Sequence, residues 1–366
     1  MKKQQFFLVI LIFVLILVGC GSKTSNSVKD DEIPKPQEKE KIETTKSEDK
    51  VELVIYTNQI DGDREELFKI LVEEQNFNFD VVFVQSGGGD IRDRLIAEKN
   101  NPIADVVLGA STLEHLALVE NDLLVPFTPD WSDTVDTSLV GVDNKFWPWA
   151  IDTFHFTYNT ALIGGEGQLP VPNDWYDLTS PEYKGKYYVF GSTGTTGGVM
   201  FASMLVRHRD DNGILGVSEE GWKLIEDIHA NAINPFPNDF REALKGEVVG
   251  GFIWGGGVVT IPESKGIELD VMETPVGTPF LPANIAIINT GKQNKMKYAE
   301  EFVNWWGSKE VQTKWGGAFG NAPANKEALD AIGGELKAFM ERLSVHDIDW
   351  QFVYEHFSTF FSGFRI

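Results

Sequence analysis

Four short stretches rich in glycine and hydroxyl residues could bind a ligand through their backbone N–H groups. They are residues 85–90 (QSGGGD), 108–112 (LGAST), 191–198 (GSTGTTGG) and 254–257 (WGGG), and each follows an apolar run. Glycine lets a ligand approach the backbone closely, and free N–H groups at a helix start attract an anion. One such turn alone is more often an ordinary strand-to-helix connection with a Ser or Thr N-cap. A binding site is therefore expected only if the fold brings several of them together.

The candidate ligand-binding residues lie in or beside these turns. They are Asn58, Ser86, Gly87, Gly88, Ser111, Asp152, Ser192, Thr193, Thr195, Thr196, Trp254 and Gly255. Flat rings can stack on a ligand or surround an ammonium group. Trp147, Trp149, His155 and Trp254 lie near predicted turns or the crossover and are the aromatic candidates, although most of the ten Trp residues are expected in the core. Trp254, beside three glycines, is the best aromatic candidate for a cleft.

Catalytic signatures are absent from the sequence. The six histidines are scattered and form no H-E-x-x-H spacing, and there is no G-x-S-x-G nucleophile turn. The glycine stretch at 191–198 lacks the lysine of a phosphate-binding P-loop. No catalytic residue, cofactor or metal ligand is therefore predicted, and an enzyme is the minority interpretation.

Alternating strands and helices must position the turns. Apolar runs predict strands at 51–56, 81–84 and 104–108, and helical spacing predicts helices at 64–75 and 91–99. This order is typical of an α/β fold with a largely parallel sheet, where ligands gather at the carboxyl ends of the strands. Further along the chain, the sequence predicts an aromatic strand crossing between domains at 146–159, a second α/β section at 160–274, strands at 248–253 and 284–288, and helices at 199–206, at 295–306 and after 328.

The N-terminus indicates export. Lys2 and Lys3 precede an apolar run at 6–18, which has the length of a signal-peptide core rather than of a membrane span. The following residues, Leu-Val-Gly-Cys at 17–20, resemble the lipobox of bacterial lipoproteins. That resemblance implies cleavage before Cys20 and a lipid on its sulfur. Residues 21–50 are nearly all charged, hydroxyl or proline residues and are predicted to be a disordered spacer.

Charge and cysteine content narrow the partners. The formal net charge is −23, which argues against nucleic acid and against anionic lipid as partners. A small ligand remains compatible, because one pocket can oppose the global sign. The single cysteine, Cys20, allows no disulfide within the chain.

Four motifs resemble the extracellular solute-binding proteins of ABC importers, in the iron(III), phosphonate and polyamine group. They are RLIAEKNNPIADVVLG at 94–109, DLTSPEYKGKYYV at 177–189, the run from Ile285 through AEEFVNWWGSKEVQTKW to Asn325, and Asp347 to Trp350. The resemblance implies two α/β lobes joined by crossover strands, with a ligand cleft between them. It implies a monomeric, lipid-anchored, extracytoplasmic receptor that delivers a solute to a membrane permease and its ATPase.

The predicted division of the chain follows from this resemblance. Residues 1–19 are the signal peptide and 20–50 the lipidated cysteine with its linker. Residues 51–155 begin lobe 1, 156–274 form lobe 2, and 275–366 return to lobe 1 and end in C-terminal helices.

The ligand stays open at this point. Iron-binding members of the group commonly use an adjacent tyrosine pair after a strand of the second lobe, where this chain has Trp254 and glycines. Its own pair, Tyr187-Tyr188, falls in a strand-like segment whose successive side chains point to opposite faces. The hydroxyl-rich turn favours a phosphonate, a phosphate ester or another small organic anion, and Asp152 and Asp90 could bind an amine on the same molecule. A polyamine or iron(III) is the alternative cargo; an exported enzyme or a sensor partner is the alternative class.

Overall fold

Three parallel strands with their connecting helices open the fold. The computed structural model describes residues 50–191 and 195–357, with the backbone alone at 195 and 196. The first elements are β1 (Glu52–Thr57), α1 (Asp63–Gln75), β2 (Asp80–Gln85), α2 (Gly88–Ala97), β3 (Val106–Leu108) and α3 (Thr112–Glu120). The five predicted elements are confirmed. Helix α2 begins at Gly88, three residues before the predicted start, because the glycines of this turn already belong to the helix.

One long strand crosses the molecule. β4 (Trp147–Asn159) pairs in its first half with a strand at residues 278–287 and in its second half with a strand at residues 250–254. The later elements are β5 (Tyr187–Tyr188), α4 (Thr195–Leu205), β6 (Arg209–Ile214), α5 (Glu219–Asn231), α6 (Phe240–Ala243), β7 (Gly250–Trp254), α7 (Gly255–Lys265), β8 (Leu269–Val271), β9 (Thr278–Ile287), α8 (Gln293–Trp306), α9 (Lys309–Phe319), β10 (Ala322–Pro323), α10 (Lys326–Ile332), α11 (Gly334–Arg342), β11 (Val345–His346) and α12 (Trp350–Phe357). In the described part of the chain, no helix is both long enough and apolar enough to cross a membrane.

The strand directions make the carboxyl ends of two groups of strands face each other, and we call each group of strand ends an edge. The order along the sheet is β2-β1-β3-β9-β4-β7-β5. β2, β1 and β3 are parallel, as are β5 and β7, whereas β9 is antiparallel to both β3 and β4, and β7 is antiparallel to β4. β3 therefore runs in the direction of β4 and β7 runs against it. The carboxyl ends of β1–β3 and those of β5 and β7 consequently point towards one another along β4.

The sheet is mixed rather than largely parallel, which corrects the prediction. The prediction counted only the strand–helix–strand repeats, and the crossing strands β4 and β9 run in opposite directions between them. β9 also begins at Thr278 rather than at 284, because its first half pairs with β4 beyond the apolar run that was used to predict it.

Separate hydrophobic clusters lie on the two sides of the crossing. Leu53, Ile55 and Phe302 belong to a cluster around β1, β3 and α8. Phe156 and Phe252 belong to another, around β4, β7, α4 and α5. We call these parts lobe 1 and lobe 2. A further cluster joins α7 to α11 behind the crossing strands.

Helix α12 belongs to both lobes by its contacts. Its residues Val353 and Phe357 are buried in the lobe 2 cluster. The Tyr354 hydroxyl donates to Glu120 at the end of α3 in lobe 1. The segment after residue 275 therefore contributes to each lobe, and the predicted lobe boundaries stay a prediction.

Candidate ligand-binding site

The end of β1 places Asn58 at the centre of a hydrogen-bonded group in lobe 1. Its Oδ1 accepts from the backbone N–H of Ala110 at 2.9 Å and from Gln59 Nε2 at 2.9 Å. Gly109 has a φ of +95°, and a Cβ there would lie 2.1 Å from Asn58 Oδ1. Glycine at this position thus lets the turn after β3 approach the end of β1. Asn58 is half-buried, and its side chain links the end of β1 to the predicted turn after β3.

The turn after β2 starts helix α2 beside Asn58. Gly87 is exposed and is the N-cap residue, without a side-chain capping bond. Gly88 is buried, and a Cβ there would lie 3.6 Å from both Ala110 and Asn58 Nδ2. The Ser86 hydroxyl lies 3.4 Å from Asp90 Oδ2. The carboxylate of Asp90 thus stands in the first turn of this helix, where it disfavours a second anion.

Ser111 has a structural task at the start of α3. Its side chain accepts from Leu113 N at 3.2 Å, and Glu114 accepts from the Ser111 backbone N–H at 2.9 Å, which is a capping box. The two side chains also hydrogen-bond to each other. The capping box satisfies N–H groups of this helix start within the chain. A ligand that contacts the Ser111 hydroxyl would therefore compete with its capping hydrogen bonds.

Asp152 lies on β4 where this strand passes from lobe 1 to lobe 2. It is half-buried, and its carboxylate accepts no hydrogen bond from the described residues. Burial raises the pKa of this carboxyl to about 6, although the positive charge of Arg64 favours its ionised form. A carboxylate in this setting is suited to binding an ammonium group.

Gly255 and Trp254 meet β4 next to Asp152. The register pairs Trp254 with Phe154, and a Cβ on Gly255 would lie 2.3 Å from Thr153 Oγ1. A Cβ on Gly256 would lie 2.7 Å from the carbonyl oxygen of Gly320. The predicted glycine stretch at 254–257 lies where β7 passes into α7, and its three glycines form the buried first turn of that helix. Packing against other parts of the chain already requires them to be glycine.

Trp254 is half-buried among aromatic side chains of lobe 2. Its ring lies edge-on to Phe240 at 5.9 Å between centroids, and the Arg241 guanidinium lies 5.4 Å from its centroid. Its indole N–H donates to no group of the described residues. By contrast, Trp147, Trp149 and His155 are buried in the interior. Of the aromatic residues predicted near the turns and the crossover, Trp254 is therefore the one that is partly exposed.

The hydroxyl-rich stretch after β5 is only partly described. Ser192 and Thr193 lie outside the described residues, and for Thr195 and Thr196 the structure gives only that they begin α4. A Cβ on Gly197 would lie 2.1 Å from the carbonyl oxygen of Gly191. The glycines of this stretch thus allow its two ends to approach each other. Cys20 also lies outside the described residues.

Arg64, in the first turn of α1, completes the group and was missed from the sequence. Its Nη1 donates to Gln59 Oε1 at 3.3 Å and its Nη2 donates to Asn321 Oδ1 at 2.9 Å. It is half-buried, and burial lowers the pKa of its guanidinium, against the charges of Asp152 and Asp61. One signal was visible in the sequence: Arg64 is a cation among acids at a helix start, where the helix dipole disfavours it.

A chain of hydrogen bonds connects the turn after β3 to Arg64, and a charge interaction extends from Arg64 to the crossing strand. The chain runs from Ala110 through Asn58 and Gln59 to Arg64, whose charge acts on Asp152. Asn58, Gly88 and Ser111 are gathered at the lobe 1 edge, and Asp152, Trp254 and Gly255 at the crossing. Ser86 and Gly87 lie beside Asp90 at the start of α2.

The tyrosine pair of β5 is arranged as the sequence predicts. Tyr187 is buried in the main lobe 2 cluster, whereas Tyr188 is buried in a separate cluster with Ile253. The Tyr187 hydroxyl donates to the carbonyls of Leu178 and Ile228, and burial raises the pKa of both phenols. The two hydroxyls cannot share one metal ion. Within 50–191 and 195–357, no group of three or more His, Cys, Asp or Glu side chains could hold a metal.

Comparisons with known proteins agree on one family. The family model "Bacterial extracellular solute-binding protein" matches residues 72–339. A Sinorhizobium fredii protein, provisionally named an ABC transporter periplasmic-binding protein, is 31% identical over 74% of each chain. A Salmonella typhimurium protein, provisionally named 2-aminoethylphosphonate-binding, is 27% identical over 42% of this chain and 41% of its own.

Solved structures share the fold. The ferric binding protein of Campylobacter jejuni superimposes with a TM-score of 0.67 at 17% identity, over 85% of this chain and 98% of its own. The periplasmic binding protein AfuA of Actinobacillus pleuropneumoniae, with fructose-6-phosphate bound, gives 0.66 at 20% identity, over 86% and 97%. At these identities the likeness concerns the fold alone.

Proposed function

Because the chain belongs to the bacterial extracellular solute-binding protein family, we propose that it captures a small solute between its lobes and delivers it to the permease of an ABC importer. The family and the two-lobed α/β fold predicted from the sequence motifs are confirmed. The observation that carries the proposal is that the carboxyl ends of β1–β3 and of β5 and β7 face each other along the crossing strand β4. Ligands of open α/β sheets bind at such ends.

The proposed solute is a small organic anion, with a phosphonate or phosphate ester in first place. Two groups support it: a half-buried cation, Arg64, and the start of α7, which lacks a side-chain cap. One relative is named for 2-aminoethylphosphonate and one structural neighbour holds a sugar phosphate. Asp152 would bind an amine on the same molecule, which favours a zwitterion.

A polyamine is the second candidate. Its support is the half-buried Asp152 carboxylate with the Trp254 ring on the neighbouring strand, since aromatic rings and acids together bind ammonium groups. Iron(III) is third: a structural neighbour binds ferric iron, but the tyrosine pair of this chain points to opposite faces.

Binding without chemical conversion is part of the proposal. Solute-binding relatives hold their cargo for transport, and the sequence carries no catalytic signature. The purified protein should therefore bind its solute one to one and release it unchanged. Steady conversion of the solute would instead indicate an exported enzyme on this fold. A sensor role would be indicated by a signalling protein, rather than a permease, as the partner.

The proposed attachment is a lipid on Cys20, with residues 21–50 as the tether. Replacing Cys20 by alanine should release the protein from the cell membrane into the medium or periplasm. Unchanged membrane attachment of that variant would contradict lipidation at Cys20.

A thermal-shift panel on the purified protein tests the cargo. It would contain 2-aminoethylphosphonate, phosphate, fructose 6-phosphate, spermidine, putrescine and ferric citrate. A ligand at one hundred times its Kd stabilises the folded state by about 2.7 kcal/mol. A shift with a phosphorus compound is expected; a shift with polyamines only, or with ferric citrate only, would overturn the anion proposal and leave the receptor function standing.

A further inference from the structure

Arg64 and Asp152 carry opposite charges near the crossing strands, and neither is paired. Among the described residues, the Arg64 guanidinium donates only to the neutral amides of Gln59 and Asn321. The Asp152 carboxylate accepts no hydrogen bond from the described residues, although Arg64 is close enough to act on its charge. Both side chains are half-buried. Partly buried charges are normally paired, because withdrawing them from water is unfavourable.

The surroundings hold Arg64 in place. The Phe319 ring lies 5.4 Å from its guanidinium carbon, and two amide oxygens fix both Nη atoms. Gln59 is itself held by Asn58, which is bound to the backbone of Ala110. The guanidinium is thus oriented before any ligand arrives, and its remaining N–H groups have no acceptor in the described chain. Preorganisation of this kind lowers the free-energy cost of binding.

The neighbouring helix starts are less suited to an anion. The start of α3 is satisfied by the capping box of Ser111 and Glu114. The start of α2 contains the carboxylate of Asp90. In lobe 1, Arg64 therefore supplies a positive charge and free N–H donors, whereas the starts of α2 and α3 are already occupied by groups of the chain itself.

We propose that Arg64 binds the acidic group of the solute and that Asp152 binds an ammonium group of the same molecule. This inference rests on the proposed function and specifies it: the solute is a short zwitterion whose two charges match a fixed pair on lobe 1 and the crossing strand. Arg64 is the anion-binding residue, and Asp152 determines the preference for an amine. The glycine turns then shape the cleft rather than supply the main anion site.

The test compares solutes that carry both charges, only an anionic group, or only ammonium groups. Binding of 2-aminoethylphosphonate, ethylphosphonate, fructose 6-phosphate and spermidine is measured by calorimetry on the wild-type protein and on Arg64→Gln and Asp152→Asn. Arg64→Gln should weaken the binding of both phosphonates by about 10- to 100-fold, which is the range for a lost hydrogen bond to a charged group. Asp152→Asn should weaken the binding of 2-aminoethylphosphonate about tenfold or more. The affinity for ethylphosphonate should stay the same or increase, because this compound has no amine for Asp152 to bind.

Matched variants separate recognition from folding. Arg92→Gln removes an arginine of the same lobe whose ion pair is with Asp93 on the exposed side of α2, and it should bind as the wild type does. Arg64→Lys keeps the charge but not the planar fork, so a partial loss is expected. If Arg64→Gln unfolds, the Arg64→Lys loss and the opposite responses of the two phosphonates to Asp152→Asn still decide the matter.

Each outcome has one meaning. Retained phosphonate affinity in folded Arg64→Gln would overturn the role of Arg64 and leave the proposed function intact. A second outcome is that the wild-type protein binds fructose 6-phosphate and none of the other solutes, and that Arg64→Gln loses this binding. That result would support the role of Arg64 and overturn the amine-binding role of Asp152. Wild-type binding of spermidine alone would overturn both this inference and the proposed ligand class.

Discussion

The two edges that face each other along β4 are built from different chemistry. The lobe 1 edge is polar and internally hydrogen-bonded, from Ala110 through Asn58 and Gln59 to Arg64. The lobe 2 edge is aromatic, and the Phe240 ring contacts both Trp254 and Phe236. In the proposed function, lobe 1 and the crossing strand bind the charged groups of the solute, and lobe 2 supplies a flat apolar surface.

The glycines of the two edges also differ. A Cβ on Gly87 of lobe 1 would meet only Asp90 Oδ2, at 3.4 Å, and Gly87 is exposed. A Cβ on Gly255 of lobe 2 would lie 2.3 Å from Thr153 Oγ1, which is held 2.7 Å from His155 Nε2 in the interior. Two glycines that look alike in the sequence thus have different reasons to be glycine: open space at one, close packing at the other.

The largest effect should come from breaking this difference with a methyl group. Gly255→Ala should lower the free energy of unfolding by about 2 kcal/mol, because the added carbon overpacks a buried contact. Gly87→Ala, the matched control, should change it by less than about 0.5 kcal/mol, as exposed substitutions usually do. Thermal and urea unfolding of both variants check this. Equal stability of the two would show that Thr153 gives way without cost.

The sequence predicted the fold well because the signals it uses are local. Apolar runs, helical spacing and glycine turns located β1–β3, α1 and the start of α2 within a few residues. β9 was predicted too short, since its first half is defined by pairing with β4 and not by its own composition. Strand direction across the lobes is likewise a property of pairing, which no single segment records.

The site was predicted in part, for the same reason. Asn58, Gly88 and Asp152 lie where turns or the crossover were expected. Arg64 was missed because its importance depends on Gln59 and Asn321, and the latter is far away in the chain. Gly255 was predicted as a ligand contact and stays a prediction; the structure adds a packing reason for glycine there, because Thr153 Oγ1 lies beside it. The individual binding residues stay predictions until binding is measured.

A smaller effect should appear in the pH dependence of stability at the crossing strand. Burial raises the pKa of Asp152 from 3.8 to about 6, so the folded state holds this proton more tightly than the unfolded state. Its favourable contribution is complete below about pH 4 and is lost as the pH rises through about 6. Asp152→Asn should therefore match the wild type near pH 4 and exceed it by about 1 kcal/mol near pH 7.5. Parallel pH profiles of the two proteins, measured by urea unfolding without ligand, would contradict a raised pKa.

The smallest effect is expected at the aromatic wall of lobe 2. Trp254 is half-buried and its indole N–H has no acceptor among the described residues, so the proposed solute should contact it and change its fluorescence. Trp254→Ala should remove most of the ligand-induced change and weaken binding about three- to tenfold, since a wall residue contributes less than a charge. Trp222→Phe is the matched control, because Trp222 lies on α5 with its indole N–H bonded to Ile214 at 3.1 Å. If Trp222→Phe removes the change and Trp254→Ala retains it, the solute binds away from the lobe 2 edge, and the contrast between a charge-reading lobe 1 and an aromatic lobe 2 fails.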